Sequence, residues 1–155
     1  MDIFEASRTN NIDGIKTALL NTDINARDGR GSTPLIIAAY YNNIDAVNAL
    51  LEAGAATELQ DGMGNTALMG VCFKGYTETG KLLIENSADI NTANGNNASA
   101  LTFAATFGHN ELIKLLLAKG ADPLVKDKFG KNALDYAQLQ QNAVGYEIMV
   151  AAIKR

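Results

Sequence analysis

The chain has 155 residues, 47% of them hydrophobic, which is enough for the core of one domain. No apolar run approaches the roughly 18 residues that a membrane-crossing helix needs, and the opening MDIFEASR lacks the apolar stretch of a secretory signal. A net charge of −4 argues against the basic surface that phosphate backbones require, so neither nucleic acid nor membrane is expected as a partner.

One cysteine, Cys72, allows no internal disulfide and favours a reducing compartment. Either the protein is cytoplasmic or a leader has been removed; the cytoplasm is the expectation. The dominant internal signal is a period of 33 residues, carried by Leu35, Leu68, Leu101 and Leu134 and by Thr33, Thr66, Ser99 and Asn132. Leu50-Leu51, Leu83-Ile84, Leu116-Leu117 and Met149-Val150 keep the same step. A fixed period of this length marks stacked repeats. The expectation is a single domain over 1–155, with 1–27 and 127–155 as cap units and 28–60, 61–93 and 94–126 as internal units.

The first unit starts on a helix capped by Asp2, with Glu5 placed to complete a capping box. A second helix after Asn11 turns Ile15, Ala18 and Leu19 inward. In the second unit, Asp28-Gly29-Arg30-Gly31 reads as a tight turn, and Thr33-Pro34 opens a helix with Leu35, Ala38 and Ala39 on one face. Asn42 suits a left-handed turn, a second helix is expected from about Asp45 to Ala53, and Gly54 ends it.

The third unit fills the frame less well. Val71 and Cys72 replace Ala-Ala, Gly80 takes a core position held by Val47 and Ile113 in its neighbours, and Ser87 replaces the closing glycine. This layer is expected to be the softest, with faster hydrogen exchange across Thr77 to Asn86 than across Glu111 to Lys119. The fourth unit follows the turn Asn94-Gly95-Asn96-Asn97, and its two helices meet at Gly108. The fifth begins at Asp127-Lys128-Phe129-Gly130, and Gln138, Gln140, Gln141, Lys154 and Arg155 suggest a polar closing cap.

These motifs resemble the ankyrin repeat, above all Gly31-Ser32-Thr33-Pro34-Leu35 with Ala38-Ala39, and Gly108-His109 with Leu116-Leu117 and Gly120-Ala121-Asp122. The resemblance implies an all-α solenoid of stacked helix-turn-helix units joined by β-turn tips. The chain departs from the family where a histidine often follows the helix-opening leucine: Ile36, Met69, Thr102 and Asp135 stand there. It further implies a protein-binding module without catalysis, whose partner meets the turn tips and the concave face of the first helices.

Transferred to this sequence, the partner-binding positions are Arg30, Met63, Asn96 and Phe129 at the tips, and Tyr40, Tyr41, Phe73, Lys74 and Phe107 late in the first helices. Of five Phe and five Tyr, half fall at these positions, while Leu, Ile, Val and Ala hold the core. Exposed aromatics of this kind mark interaction sites. The other reading is that the rings fold over the helix ends and pack between layers. The expected partner is another protein, apolar with some basic character given the net charge, and the free chain is expected to be monomeric. The alternative is a structural or inhibitory subunit that self-associates through the same stripe.

Other chemistry has little support. His109 is the lone histidine, at a helix start, and Cys72 sits in the preceding unit at an inward position, so no Cys-His nucleophile pair forms. Asp89 to Gly95 lacks the ligands of a calcium loop at Ala93 and Ala100. No glycine-rich loop with a following lysine precedes a helix. Neither a metal nor a cofactor is expected.

Overall fold

The computed structural model describes residues 1–86 and 88–154. Ser87, read as standing in for a closing glycine, and Arg155 lie outside the described residues. Among those described are ten helices: α1 (Ile3–Arg8), α2 (Ile12–Ala18), α3 (Pro34–Tyr40), α4 (Ile44–Glu52), α5 (Ala67–Lys74), α6 (Thr77–Glu85), α7 (Ala100–Thr106), α8 (Asn110–Ala118), α9 (Ala133–Leu139) and α10 (Ala143–Ile153). None of them is long and apolar enough to cross a membrane.

Each odd-numbered helix begins where a short polar side chain accepts a first-turn amide. Thr33, Thr66, Ser99 and Asn132 accept from Ile36, Met69, Thr102 and Asp135. At Ser99 and Asn132 the bond is reciprocal, because Thr102 and Asp135 accept from the cap amides. Two of the residues that replace the family's histidine therefore serve their own helix start. Asp2 caps α1 through the Glu5 amide at 2.8 Å, without the expected return bond.

Each hairpin turns at one left-handed residue: Asn10, Asn42, Gly75, Gly108 or Gln141. The next amide then closes on the first helix, as from Asn43 to Ala38 at 2.9 Å and from His109 to Ala104 at 2.9 Å. Helix α4 starts and stops one residue earlier than expected, and Gly54 ends it with φ +94°.

The core is one continuous seam. Leu35, Leu68 and Leu101 are buried along the first helices, and Leu50, Leu83, Leu116 and Met149 along the second. Successive first helices pack more closely than successive second helices, with Ala38, Ala39, Ala104 and Ala105 fully buried between them. The stack therefore curves toward the first helices, which line its hollow side.

The third layer is not underfilled. Gly80 and Val71 are buried, and a Cβ built on Gly80 would lie 2.6 Å from Leu112 Cδ2. Leu112 of the next layer occupies the room that the missing side chain leaves. What remains of the expected softness is the backbone cost of a helical glycine, about 1 kcal/mol. The closing pair is less polar than its glutamines suggest, since Leu139, Val144 and Ile153 are exposed.

Candidate functional site

The tips are built by one repeated bracket. The side-chain oxygen of Asp28 accepts the amides of Arg30 and Ser32, both at 2.9 Å. Asp61 does the same for Met63 and Asn65, Asn94 for Asn96 and Ala98, and Asp127 for Phe129 and Lys131. Such turns fix the apex residue without using its side chain.

Adjacent tips are joined by backbone bonds. The Gly62 amide donates to Arg30 O at 3.0 Å, Gly95 to Met63 O at 3.0 Å, and Lys128 to Asn96 O at 2.9 Å. Side chains reinforce the chain of tips. The Arg27 guanidinium donates to the carbonyls of Gly31 and Gln60, and the Gln60 amide to those of Gly64 and Ala93. Close approach requires glycine here: a Cβ on Gly64, at φ +86°, would fall 2.7 Å from the Gly95 nitrogen.

At the apices, Arg30, Met63 and Phe129 are exposed, whereas Asn96 is half-buried with its amide and carbonyl both engaged. Asn96 thus offers less surface than its register suggests. Along the first-helix ends, Tyr40, Tyr41, Phe73 and Phe107 expose 42%, 52%, 41% and 47% of their surface. None of the four is buried in the core. Lys74 is exposed beside them.

The rings form two groups. Tyr40 and Tyr41 meet edge to face at 5.6 Å, and the Lys74 ammonium lies 4.9 Å from the Tyr40 ring centre. Phe73 meets Phe107 at 4.7 Å and Phe103 at 6.3 Å, both edge to face. Phe103, half-buried, belongs to this cluster and was not anticipated. The signal was its register: it stands where α5 has Gly70, and the Tyr40 ring lies 3.7 Å from where a Gly70 Cβ would be.

Two helix-turn polar contacts join successive layers. His109 Nε2 lies 3.3 Å from Phe73 O, with its ring over Gly75. Asn43, in the same register, donates to Ser7 O and Arg8 O at 2.9 and 2.8 Å. His109 is thus a clasp between layers.

The perturbed titrations have structural causes. Burial pushes the Cys72 thiol up to about 12, so it is not a nucleophile near neutral pH. Burial also works to raise the Asp127 carboxyl, but the Tyr136 hydroxyl and the amides of Lys131 and Phe129 outweigh it and hold the group below its ordinary value. Tyr136 itself is pushed up to about 12 by burial and by the carboxylate it donates to. Among the described residues, no three His, Cys, Asp or Glu side chains converge as a metal site would need. A hollow of about 320 Å³ lined by Ala137, Gln141, Ala143 and Tyr146 lies at the end of the stack and shares no residue with the aromatic stripe.

The family model for ankyrin repeats, in three copies, matches residues 3–94 and again 70–151. A search of curated proteins gave no match. Ankyrin repeats are in general protein–protein interaction modules. With stacked helix pairs, bracketed tips and a matching family model running from Ile3 to Ala151, the chain belongs to the ankyrin repeat family.

Proposed function

We propose that this protein is a non-catalytic binding module that grips a protein partner along its hollow side, through Tyr40, Tyr41, Phe73, Lys74 and Phe107 and the tips at Arg30, Met63, Asn96 and Phe129. The observation that carries the reading is the contrast between the closed core and the rings beside it. Leu68 and Leu101 are fully buried, yet Tyr41, Phe73 and Phe107 stay about half exposed on one side. Large rigid side chains left in water supply contact area at low entropy cost. The bracketed tips arrive already ordered, which lowers the cost of association. The free chain is a monomer in this reading.

The test replaces Tyr41, Phe73 and Phe107 by Ala together. Capture from native lysate should lose the partner while the helical circular dichroism stays intact. A partner retained by the triple variant would move binding elsewhere. Light scattering at micromolar concentration separates this reading from self-association through the same rings.

A further inference from the structure

The charged side chains divide between the two sides of the stack. The second helices α4, α6, α8 and α10 carry Asp45, Glu52, Glu78, Glu85, Glu111 and Glu147 against Lys81 and Lys114. From the first tip onward, at Asp28, the side formed by tips and first helices carries Arg27, Arg30, Lys74, Lys126, Lys128 and Lys131. The acids on that side are Asp28, Asp61, Asp127 and Asp135, and each is engaged. The first three bracket tip amides, and Asp135 closes the cap of α9.

Arg27 is held between tips by the carbonyls of Gly31 and Gln60, but none of the cations on this side is ion-paired among the described residues. Among the described residues the one ion pair joins Lys114 to Glu111, on α8. Lys74 and Lys128 instead rest over the rings of Tyr40 and Phe129, at 4.9 and 5.2 Å. The balance of charge on this side thus runs against the net charge, from which an apolar partner with some basic character was expected.

We propose that the segment bound along the aromatic stripe is an acidic polypeptide stretch in which carboxylates are spaced by apolar side chains. This rests on the docking reading above. Lys74 lies over the Tyr40 ring of one pair and follows Phe73 of the other directly in the chain. A carboxylate reaching it is flanked by apolar rings, where its attraction is stronger than in open water. The apolar side chains of the segment fall on the rings themselves. A polynucleotide suits the face less well, because it carries a charge at every residue, whereas Lys74 is a single cation set among rings. The exposed faces for base stacking are also reduced where Phe73 and Phe107 meet edge to face.

The experiment is a selection of random twelve-residue displayed peptides on the full chain, counter-selected on the Tyr41→Ala/Phe73→Ala/Phe107→Ala variant. Enriched peptides are expected to be net acidic and to contain Leu, Ile or aromatic residues. The best of them, synthesised with a fluorophore, should bind Lys74→Glu about tenfold more weakly. It should bind Lys81→Glu unchanged, since that substitution alters net charge equally on the back. Enriched peptides that are neutral or basic would overturn the charge inference and leave the docking reading standing. So would equal losses in the two variants, or tighter binding of a fifteen-nucleotide oligothymidine than of any peptide. No enrichment over the triple variant would take down the docking reading, and this inference with it.

Discussion

Val71 is large where Gly80 is small: a Cβ on Gly80 would lie 3.2 Å from Val71 Cγ1, across the hairpin of α5 and α6. The neighbouring layers make the opposite choice, Ala38 with Val47 and Ala104 with Ile113, all buried. The third layer conserves volume by exchanging the sizes of the two partners.

This exchange predicts a compensating pair. Gly80→Ala should lower stability by about 1 kcal/mol, because overpacking against Leu112 and Val71 outweighs the gain in helix propensity. Val71→Ala should cost about 2 kcal/mol through the cavity it leaves. The double variant should be less destabilised than the sum of the two. Urea denaturation of all four proteins gives the coupling, and strict additivity would remove the size-exchange account.

The bond between Tyr136 and Asp127 predicts a window of pH. The carboxyl is held below its ordinary value of 3.8, so its stabilisation is present above about pH 4 and is lost as pH falls through the lowered value. The phenol is raised from 10.0 to about 12, so its stabilisation is present below pH 10 and is lost as pH rises toward 12. Tyr136→Phe should therefore cost about 1 kcal/mol at pH 7 and less at pH 3 or pH 12. A penalty constant across that range would mean that what the hydroxyl contributes does not depend on the Asp127 charge, and would remove the window.

Two glycines separate contact from backbone strain. Gly64 and Gly130 both have positive φ, at +86° and +77°, but only Gly64 has a neighbouring tip against it. Alanine at Gly130 should cost about 1 kcal/mol, the ordinary left-handed penalty. At Gly64 the same change must also push away Gly95, so a loss of at least twice that size is expected. Thermal melts of the two variants that shifted alike would show that the tips tolerate separation.

His109 should be replaceable by asparagine. Asn43 makes the equivalent reach to the preceding layer, so His109→Asn should retain most of the stability that His109→Ala loses, about 1 kcal/mol. Gly75→Ala should hurt less in the His109→Ala background, because the imidazole lies where the new Cβ would go. Equal effects in both backgrounds would sink the clasp.

Much of the fold could be read from residue type at fixed spacing. Thr33, Thr66, Ser99 and Asn132 announce helix starts because a short side chain ahead of a leucine is a local signal. The exposure of Tyr40, Tyr41, Phe73, Phe107 and Phe129 followed from register once the inward positions were assigned. What stayed hidden depends on two layers at once. Gly80 reads as a defect until Leu112 is seen in its place. Phe103 joins the stripe only through Phe73 of the preceding layer. Net charge is a sum over the chain, so it concealed a face whose lysines and arginines oppose the total.

The amides that pass from Gly62 to Arg30, from Gly95 to Met63 and from Lys128 to Asn96 have a mechanical consequence. No turn can slide without dragging the next, so the apex side chains sit on a rule of fixed pitch. A guest is thereby judged on the distance between its anchoring groups as well as on their chemistry, and one whose anchors fall between the marks has no way to make the rule stretch.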